Sequence, residues 1–420
     1  MKTDPDVLST DAPQCDRCGR CLSVCPVYSV SHVETDSPRG RTDLTSAVTS
    51  GELNPGPRFF EAVDRCLLCR SCAVACPKGV DTASNVLAAR AEVSRPHGPG
   101  ARLGEAAMDA LIPHRSLMSA CVRTAGVFSR LLPADKAGRR HFPEYLPQML
   151  SGRGVPPITG RPLQKRLPSL VPRSPGSPNR GRAVFFTGCF YGLVDFGPGL
   201  AAVKMLCDNG FDVLIPPDQQ CCGAPALFSG RLKSFKTVLR KNLRSLAAVE
   251  GPILTACPTC ASVLRAHYPE IAARMGGPEA EQAKSLGPRV QEALTFLAGL
   301  SSLSLPGSTQ IRSAAVHQPC HFVHAGGDPA AVADLMHKRG VELVMNGETA
   351  CCGGGGVSSL KNPDLARELG SAAAGKIAAS GAEVASAACP GCVLQIGSHL
   401  GKAGSNMPAI HPLEILCPIR

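Results

Sequence analysis

Eight cysteines near the N-terminus form two copies of one run, set 51 residues apart. The first copy is Cys15, Cys18, Cys21 and Cys25, closed by Pro26; the second is Cys66, Cys69, Cys72 and Cys76, closed by Pro77. At the C-x₂-C-x₂-C-x₃-C-P spacing, three thiolates wrap a short loop around one [4Fe–4S] cubane, and the fourth reaches the other cluster. Cys15, Cys18, Cys21 and Cys76 are therefore expected to hold one cluster, and Cys66, Cys69, Cys72 and Cys25 the other. The prolines remove an amide and fix φ just after a ligand, which turns the chain away from the cluster. Zinc favours pairs of C-x₂-C units closed at four ligands, without a trailing proline. Iron–sulfur clusters take one electron at a time, so the run predicts electron transfer.

The rest of the composition agrees with a metal-binding chain. There are 21 cysteines among 420 residues, far more than a cytosolic protein needs unless they bind metal. Apolar residues make up 44% and aromatics only 4%, with no Trp, so the core is expected to be aliphatic and packed with small residues. The segment Met1–Asp6 has no apolar signal region, and no 18-residue apolar run is present, so neither a signal peptide nor a membrane span is expected. Reduced thiols and cluster assembly point to the cytoplasm, with peripheral attachment to the inner face of the cell membrane as an extension of that expectation.

The formal charge of +11 counts every cysteine as neutral. Each thiolate-bound [4Fe–4S] centre would carry roughly −2, so several clusters could cancel most of it. The charge is also uneven. Residues 131–182 hold Lys136, Arg139, Arg140, Arg153, Arg161, Lys165, Arg166, Arg173, Arg180 and Arg182 against Asp135 and Glu144, together with ten prolines. Few aromatics and little helical period argue against nucleic-acid binding. The segment reads as a solvated, proline-stiffened connector that could lie against an acidic partner or anionic lipid headgroups.

A second repeat occupies the C-terminal half. Cys189 precedes Cys221-Cys222-Gly223 and Cys257-Pro258-Thr259-Cys260; Cys320 precedes Cys351-Cys352-Gly353 and Cys389-Pro390-Gly391-Cys392. The offsets between the sets are 131, 130 and 132 residues, which implies duplicated modules of domain size. Strand-like runs lie at 183–189, 212–215 and 253–257, and again at 314–320, 341–345 and 384–389. Asp328-Pro329 and Gly340 bracket a helix over 329–339, and Asn362-Pro363 starts another. Strand–helix–strand alternation implies parallel strands with the cysteines at their carboxyl ends. Gly223 and Gly353 to Gly356 would let the backbone approach a bulky group; the run lacks the spacing of a phosphate loop. Five cysteines per module exceed the four that a zinc or a cubane needs, so a four-ligand site with one idle cysteine stays open at this point.

These motifs, with Asp36-Ser37-Pro38-Arg39-Gly40-Arg41 between the first two runs and His317-Gln318-Pro319-Cys320 in the last module, resemble the iron–sulfur subunit of bacterial glycolate oxidase and its D-lactate dehydrogenase relatives. The resemblance covers nearly the whole chain. The Cys-Cys-Gly modules also resemble those of heterodisulfide reductase catalytic subunits. That likeness implies a non-cubane [4Fe–4S] cluster in each module, held by Cys189, Cys221, Cys222, Cys257 and Cys260, and by Cys320, Cys351, Cys352, Cys389 and Cys392. The implied function is electron transfer from an FAD-containing subunit that oxidises glycolate or D-lactate to a quinone or other acceptor. No flavin fingerprint or catalytic triad is present, so the chain alone is not expected to oxidise the substrate, and no catalytic residue is assigned. Alternatives are the iron–sulfur subunit of anaerobic glycerol-3-phosphate dehydrogenase, a catalytic disulfide reductase, and a zinc-stabilised scaffold.

The expected fold is α/β: a helical two-cluster ferredoxin-type domain (1–95), a helical then Pro/Arg-rich connector (96–181), and two α/β modules with short parallel sheets (182–305 and 310–420). Cys121, Cys207 and Cys417 lie outside every motif, and Cys207 reads as a core residue. His317, His321 and His324 flank Cys320 and are expected to be hydrogen-bonded neighbours rather than ligands. Lys233, Lys236, Arg240, Lys241 and Arg244 form a solvated helix face that could dock an acidic flavoprotein.

Overall fold

A computed structural model of the chain describes residues 14–93, 99–134, 140–143, 145, 153–156, 158, 162–324, 326–347 and 351–419. The N-terminal part is helical, as the ferredoxin-type expectation requires. Helix Pro38–Thr49 starts where Ser37 Oγ accepts the Gly40 N–H at 2.9 Å and Pro38 occupies the first turn. Helix Thr82–Glu92 is capped by Asp81, which accepts from Ser84 N at 3.2 Å. Helix Pro57–Arg65 lies with them around the buried guanidinium of Arg41. Arg41 pairs with Asp36 at 3.5 Å and donates to Ala62 O at 2.7 Å, so its burial is satisfied. Helices Pro99–Leu111 and Arg115–Ser129 then lead into the connector.

Two sheets follow. The first runs Leu170–Val171, Phe211–Leu214, Gly181–Phe185, Ile253–Thr255, Val290–Glu292, parallel except for its first strand. The second runs Glu342–Asn346, Ser313–His317, Val384–Ala387, Ala409–Ile410, all parallel. With the short antiparallel strand set aside, both modules share the strand order 2-1-3-4. The duplication in the sequence is thus a duplication of topology. The fourth strand of each sheet and the edge strand Leu170–Val171 are two or three residues long and gave no sequence signal.

The helix expected over 329–339 spans Pro329–Lys338: Asp328 caps it, accepting from Ala330 N at 2.9 Å, and Gly340 sits at φ +78° just beyond its end. The helix begun by Asn362-Pro363 runs Pro363–Ala379. The modules are not independent bodies. Helix Pro412–Leu416, at the end of the second, packs on helix Gly197–Asp208 of the first, and Leu413, Leu416 and Cys417 join Ala201 and Met205 in one core.

The connector differs from the solvated strap expected. Lys136, Arg139, Arg161, Asp135 and Glu144 lie outside the described residues. Several of its basic side chains are tied down: Arg153 donates to Ser359 O, Arg173 pairs with Asp212 at 3.3 Å, and Arg166 lies 3.8 Å over the Phe196 ring, while Lys165 and Arg182 are exposed. The basic helix Leu232–Leu246 does present Lys233, Arg240 and Arg244 outward, while Phe235, Val238, Leu239 and Leu243 fill the core. Among the described residues, no helix is long and apolar enough to cross a membrane.

Candidate metal centres

Loop spacing builds the first two cysteine groups. Cys25 lines one hollow with Cys66, Cys69 and Cys72, although it belongs to the other run. Burial and the mutual proximity of these four thiols push the Cys72 thiol far up. Cys15 and Cys18 are close enough to Cys21 to raise its thiol, after burial. Lys78, two residues beyond Cys76, pairs with Asp16, next to Cys15, at 3.3 Å.

Parallel strands build the other two groups. In the first module, Cys189 follows strand Gly181–Phe185 and Cys257 follows strand Ile253–Thr255. Cys221 Sγ lies 3.5 Å from Cys189 Sγ. Hydrogen bonds from the thiols of Cys221 and Cys260 hold the Cys222 thiol down to about 6. In the second module, Cys352 and Cys392 are 3.2 Å apart. Thiol hydrogen bonds from Cys351 and Cys392 hold Cys352 well down, while Cys351 and Cys392 are pushed well up. The glycine after each cysteine pair is forced by shape. Gly223 sits at φ +89°, and a Cβ there would lie 2.7 Å from Phe235 and Val238; Gly353 sits at φ +70° against Ala366 O.

These donor sets fit iron–sulfur clusters. Sequence-distant thiols converge at buried positions, and they cannot all ionise there without a cation to balance them. The five cysteines of each module lie close enough to influence one another at its strand ends.

Sequence-distant side chains complete the sites. Arg115, from a helix with no motif, donates to Gly188 O and Thr187 Oγ1, both at 3.1 Å, beside Cys189, Cys221 and Cys260. Tyr268 Oη donates to Cys222 O at 3.1 Å, and Asn242 Nδ2 donates to Cys221 O at 2.9 Å. His411 accepts the Leu413 N–H at Nδ1, so Nε2 carries the proton. It donates to Ala256 O at 3.1 Å and Ala388 O at 2.9 Å, the residues just before Cys257 and Cys389. One imidazole thus clamps the equivalent strand ends of both modules. Nothing in the local pattern around Arg115, Asn242 or His411 marks them in the sequence.

Two of the three flanking histidines are hydrogen-bonded neighbours as expected. His321 meets Thr259 Oγ1 at 2.9 Å, and His324 meets Ser71 Oγ at 3.1 Å. His317 differs: its ring nitrogen and the sulfurs of Cys352 and Cys392 lie within 4.8 Å of one another. This spacing makes it a candidate donor beside the two sulfurs. Cys207 and Cys417 are buried in the core, and Cys121 is exposed on helix Arg115–Ser129.

The groups are also contiguous. One hollow of about 370 Å³ is lined by Cys25 and Cys69 on one side and by Cys320, Cys351, Cys352 and Cys392 on the other. Thr259, from the first module, lies 4.0 Å from Cys389 Sγ of the second.

Comparison with known proteins agrees with this layout. A family profile described as "Cysteine-rich domain" matches residues 183–265 and 314–397, and one described as "4Fe-4S dicluster domain" matches residues 11–80. The chain is 27% identical to the "Probable glycolate oxidase iron-sulfur subunit" of Bacillus subtilis, over 96% of this chain and 92% of the relative. It is 31% identical to "Lactate utilization protein A" of Geobacillus kaustophilus, over 55% of this chain and 96% of the relative. It is 27% identical to a subunit of the fumarate reductase (CoM/CoB) of Methanothermobacter marburgensis, over 96% of this chain and 71% of the relative.

Proposed function

This chain belongs to the family of cysteine-rich iron–sulfur proteins that includes Lactate utilization protein A and the glycolate oxidase iron–sulfur subunit, and from that premise we propose that it is the electron-transfer subunit of a complex oxidising glycolate or D-lactate. The observation that carries the reading is the hollow shared by Cys25 and Cys69 with Cys320, Cys351, Cys352 and Cys392. It sets a ferredoxin-type site beside the second module, and Thr259 sets that module beside the first. The chain carries several iron–sulfur clusters. When bound, they supply one-electron storage at successive points. The protein's part is to hold thiolates at fixed positions, with the Arg115 cation beside the first module and a hydrogen bond between His317 and Cys352 in the second.

In this proposal Cys15, Cys18, Cys21 and Cys76 form one ligand set and Cys66, Cys69, Cys72 and Cys25 the next. The five cysteines of each module form the remaining two. The division into 1–95, 96–181, 182–305 and 310–420 belongs to the same proposal. An FAD-containing subunit performs the oxidation, and a quinone or other carrier takes the electrons.

The test is optical. The anaerobic, iron-loaded chain is mixed with glycolate or D-lactate, with and without the flavoprotein. Bleaching of the visible iron–sulfur absorbance is expected only when flavoprotein and hydroxy acid are both present. Bleaching by the hydroxy acid alone, or none with any flavoprotein and either acid, would overturn the proposal.

A further inference from the structure

A cavity of about 680 Å³ is walled by residues of both modules and of the connector. Its size is that of a small-molecule site, for which volumes of about 300–1,000 Å³ are usual. The short helix Phe190–Leu193, which follows Cys189, forms part of one wall; helix Pro390–Lys402, which follows Cys389, forms part of another. The cavity therefore touches the cysteine loops of both modules, yet among the described residues no cysteine lines it.

The lining is divided. Val393, Leu394 and Ile410 make an apolar wall, while Tyr191, Asp195 and Glu414 place polar groups together. Tyr191 is 2% exposed, and its hydroxyl has no hydrogen-bond partner among the described residues. Glu414 is pushed up to about 7 by burial and by Asp195, and burial raises Asp195 as well. A protonated carboxyl and a phenol are hydrogen-bond donors. Ser129 and Arg130 line the cavity too, and the neighbouring Val127, Phe128 and Leu131 are exposed apolar side chains.

We propose that this cavity binds a lipophilic quinone, its ring between the apolar wall and Tyr191, Asp195 and Glu414, and its tail leaving past Phe128 and Leu131. The proposal rests on the electron-transfer reading above and names the acceptor site within it. A disulfide fits less well, because its reduction needs a sulfur in contact and among the described residues no cysteine lines the cavity. A quinone needs none, because its electrons can arrive without bond formation. The balance is complete: quinone takes two electrons and two protons, both carbonyls become hydroxyls, and the ring becomes aromatic. The electrons come singly from the iron–sulfur sites, reduced in turn by the flavoprotein and its hydroxy acid. Both protons come from solvent by way of Glu414, which water reprotonates after each transfer.

The test uses the anaerobic, iron-loaded chain and decylubiquinone, with titration calorimetry as the first readout. One quinone per chain is expected. Leu394→Trp, which fills the cavity, should weaken binding by at least about tenfold while iron content is unchanged. If that variant loses iron, Val393→Phe carries the same demand. Glu414→Gln should still bind, but reoxidation of the dithionite-reduced chain by decylubiquinone should slow by about 100-fold, the usual contribution of a general acid. Reoxidation by ferricyanide, which needs no proton, should not change. No binding to the parent chain, unchanged binding to the filled variants, or an equal effect of Glu414→Gln on both oxidants would overturn the proposal. Dithionite replaces the flavoprotein throughout, so failure of the hydroxy-acid reading would leave these outcomes untouched.

Discussion

The two cysteine-rich modules share strand order, cysteine spacing and a positive-φ glycine, yet they surround their thiols differently. The first is the deeper site: Cys221, Cys222, Cys257 and Cys260 are buried, whereas in the second only Cys352 and Cys392 are. Phe186 stands ahead of the first cysteine in one module, and His317 takes the equivalent position in the other. Arg115 sets a half-buried cation against the first module, and Cys69 sets a neighbouring thiol group against the second. Duplication copied the ligand frame, and the surroundings were then free to diverge. A nearby cation and hydrogen bonds to sulfur both favour the reduced state of a cluster. Under the proposed function, the second module would then receive electrons first and the first module would hold them.

The strongest way to break this comparison is to remove one site at a time. The intact chain is expected to contain about sixteen irons, four for each of four clusters. Cys222→Ser and Cys352→Ser should each lose about four, and zinc in either module would end the comparison. The two variants should then separate. With Cys352→Ser, the flavoprotein should no longer reduce the first module; with Cys222→Ser, the second should still be reduced. EPR of the partly reduced complexes reads this directly, and equal behaviour would contradict the order of transfer. Cys25→Ser applies the same logic to the N-terminal part. It should remove the cluster nested in Cys66–Cys72, and loss confined to the Cys15–Cys21 site would reject the exchange of ligands.

Smaller effects sharpen the difference in environment. Arg115→Gln should lower the midpoint potential of the first module alone, by about 60 mV, equivalent to about 1.4 kcal/mol for a one-electron couple. His317→Phe makes the second module resemble the first and should lower only the second, by a similar amount. A redox titration followed by EPR distinguishes them. A shift shared by both sites would show that neither residue acts locally.

The smallest effect concerns pH, at equivalent helix caps of opposite chemistry. Glu292 caps helix Ala293–Ala298 and His411 caps helix Pro412–Leu416, each just after the fourth strand of its sheet. Burial raises Glu292 from 4.5 to about 8, so its contribution to stability is complete below 4.5 and is lost as pH rises through 8. Burial lowers His411 from 6.5 to about 4, so its contribution is present above 6.5 and is lost as pH falls through 4. Each slope is at most about 1.4 kcal/mol per pH unit within its window. Unfolding midpoints of the iron-loaded chain, measured from pH 4 to 9, should lose the decline toward pH 8 in Glu292→Gln and part of the rise between pH 4 and 6.5 in His411→Asn. Identical profiles for the parent and both variants would remove these caps from the account.

Much of this protein was legible before folding was considered. Short cysteine spacings encode loops that fit one cluster corner after another, because a few residues between ligands leave the backbone few routes. The repeat offsets and the apolar runs ending in cysteine encode two parallel-sheet modules for the same local reason, and Asp328-Pro329 and Gly340 mark a helix whose ends depend only on neighbouring residues. What the sequence could not show is whatever depends on contacts across hundreds of positions. Arg115 reaches the first module from a helix outside it, Cys69 reaches Cys320, and His411 clamps two strand ends that lie 132 residues apart. The two-residue strand Ala409–Ile410 exists because the sheet edge is there to pair with it. Spacing sets which atoms can share a metal; only tertiary packing sets which charges, hydrogen bonds and cavities surround it, because those are made by residues with no fixed separation along the chain.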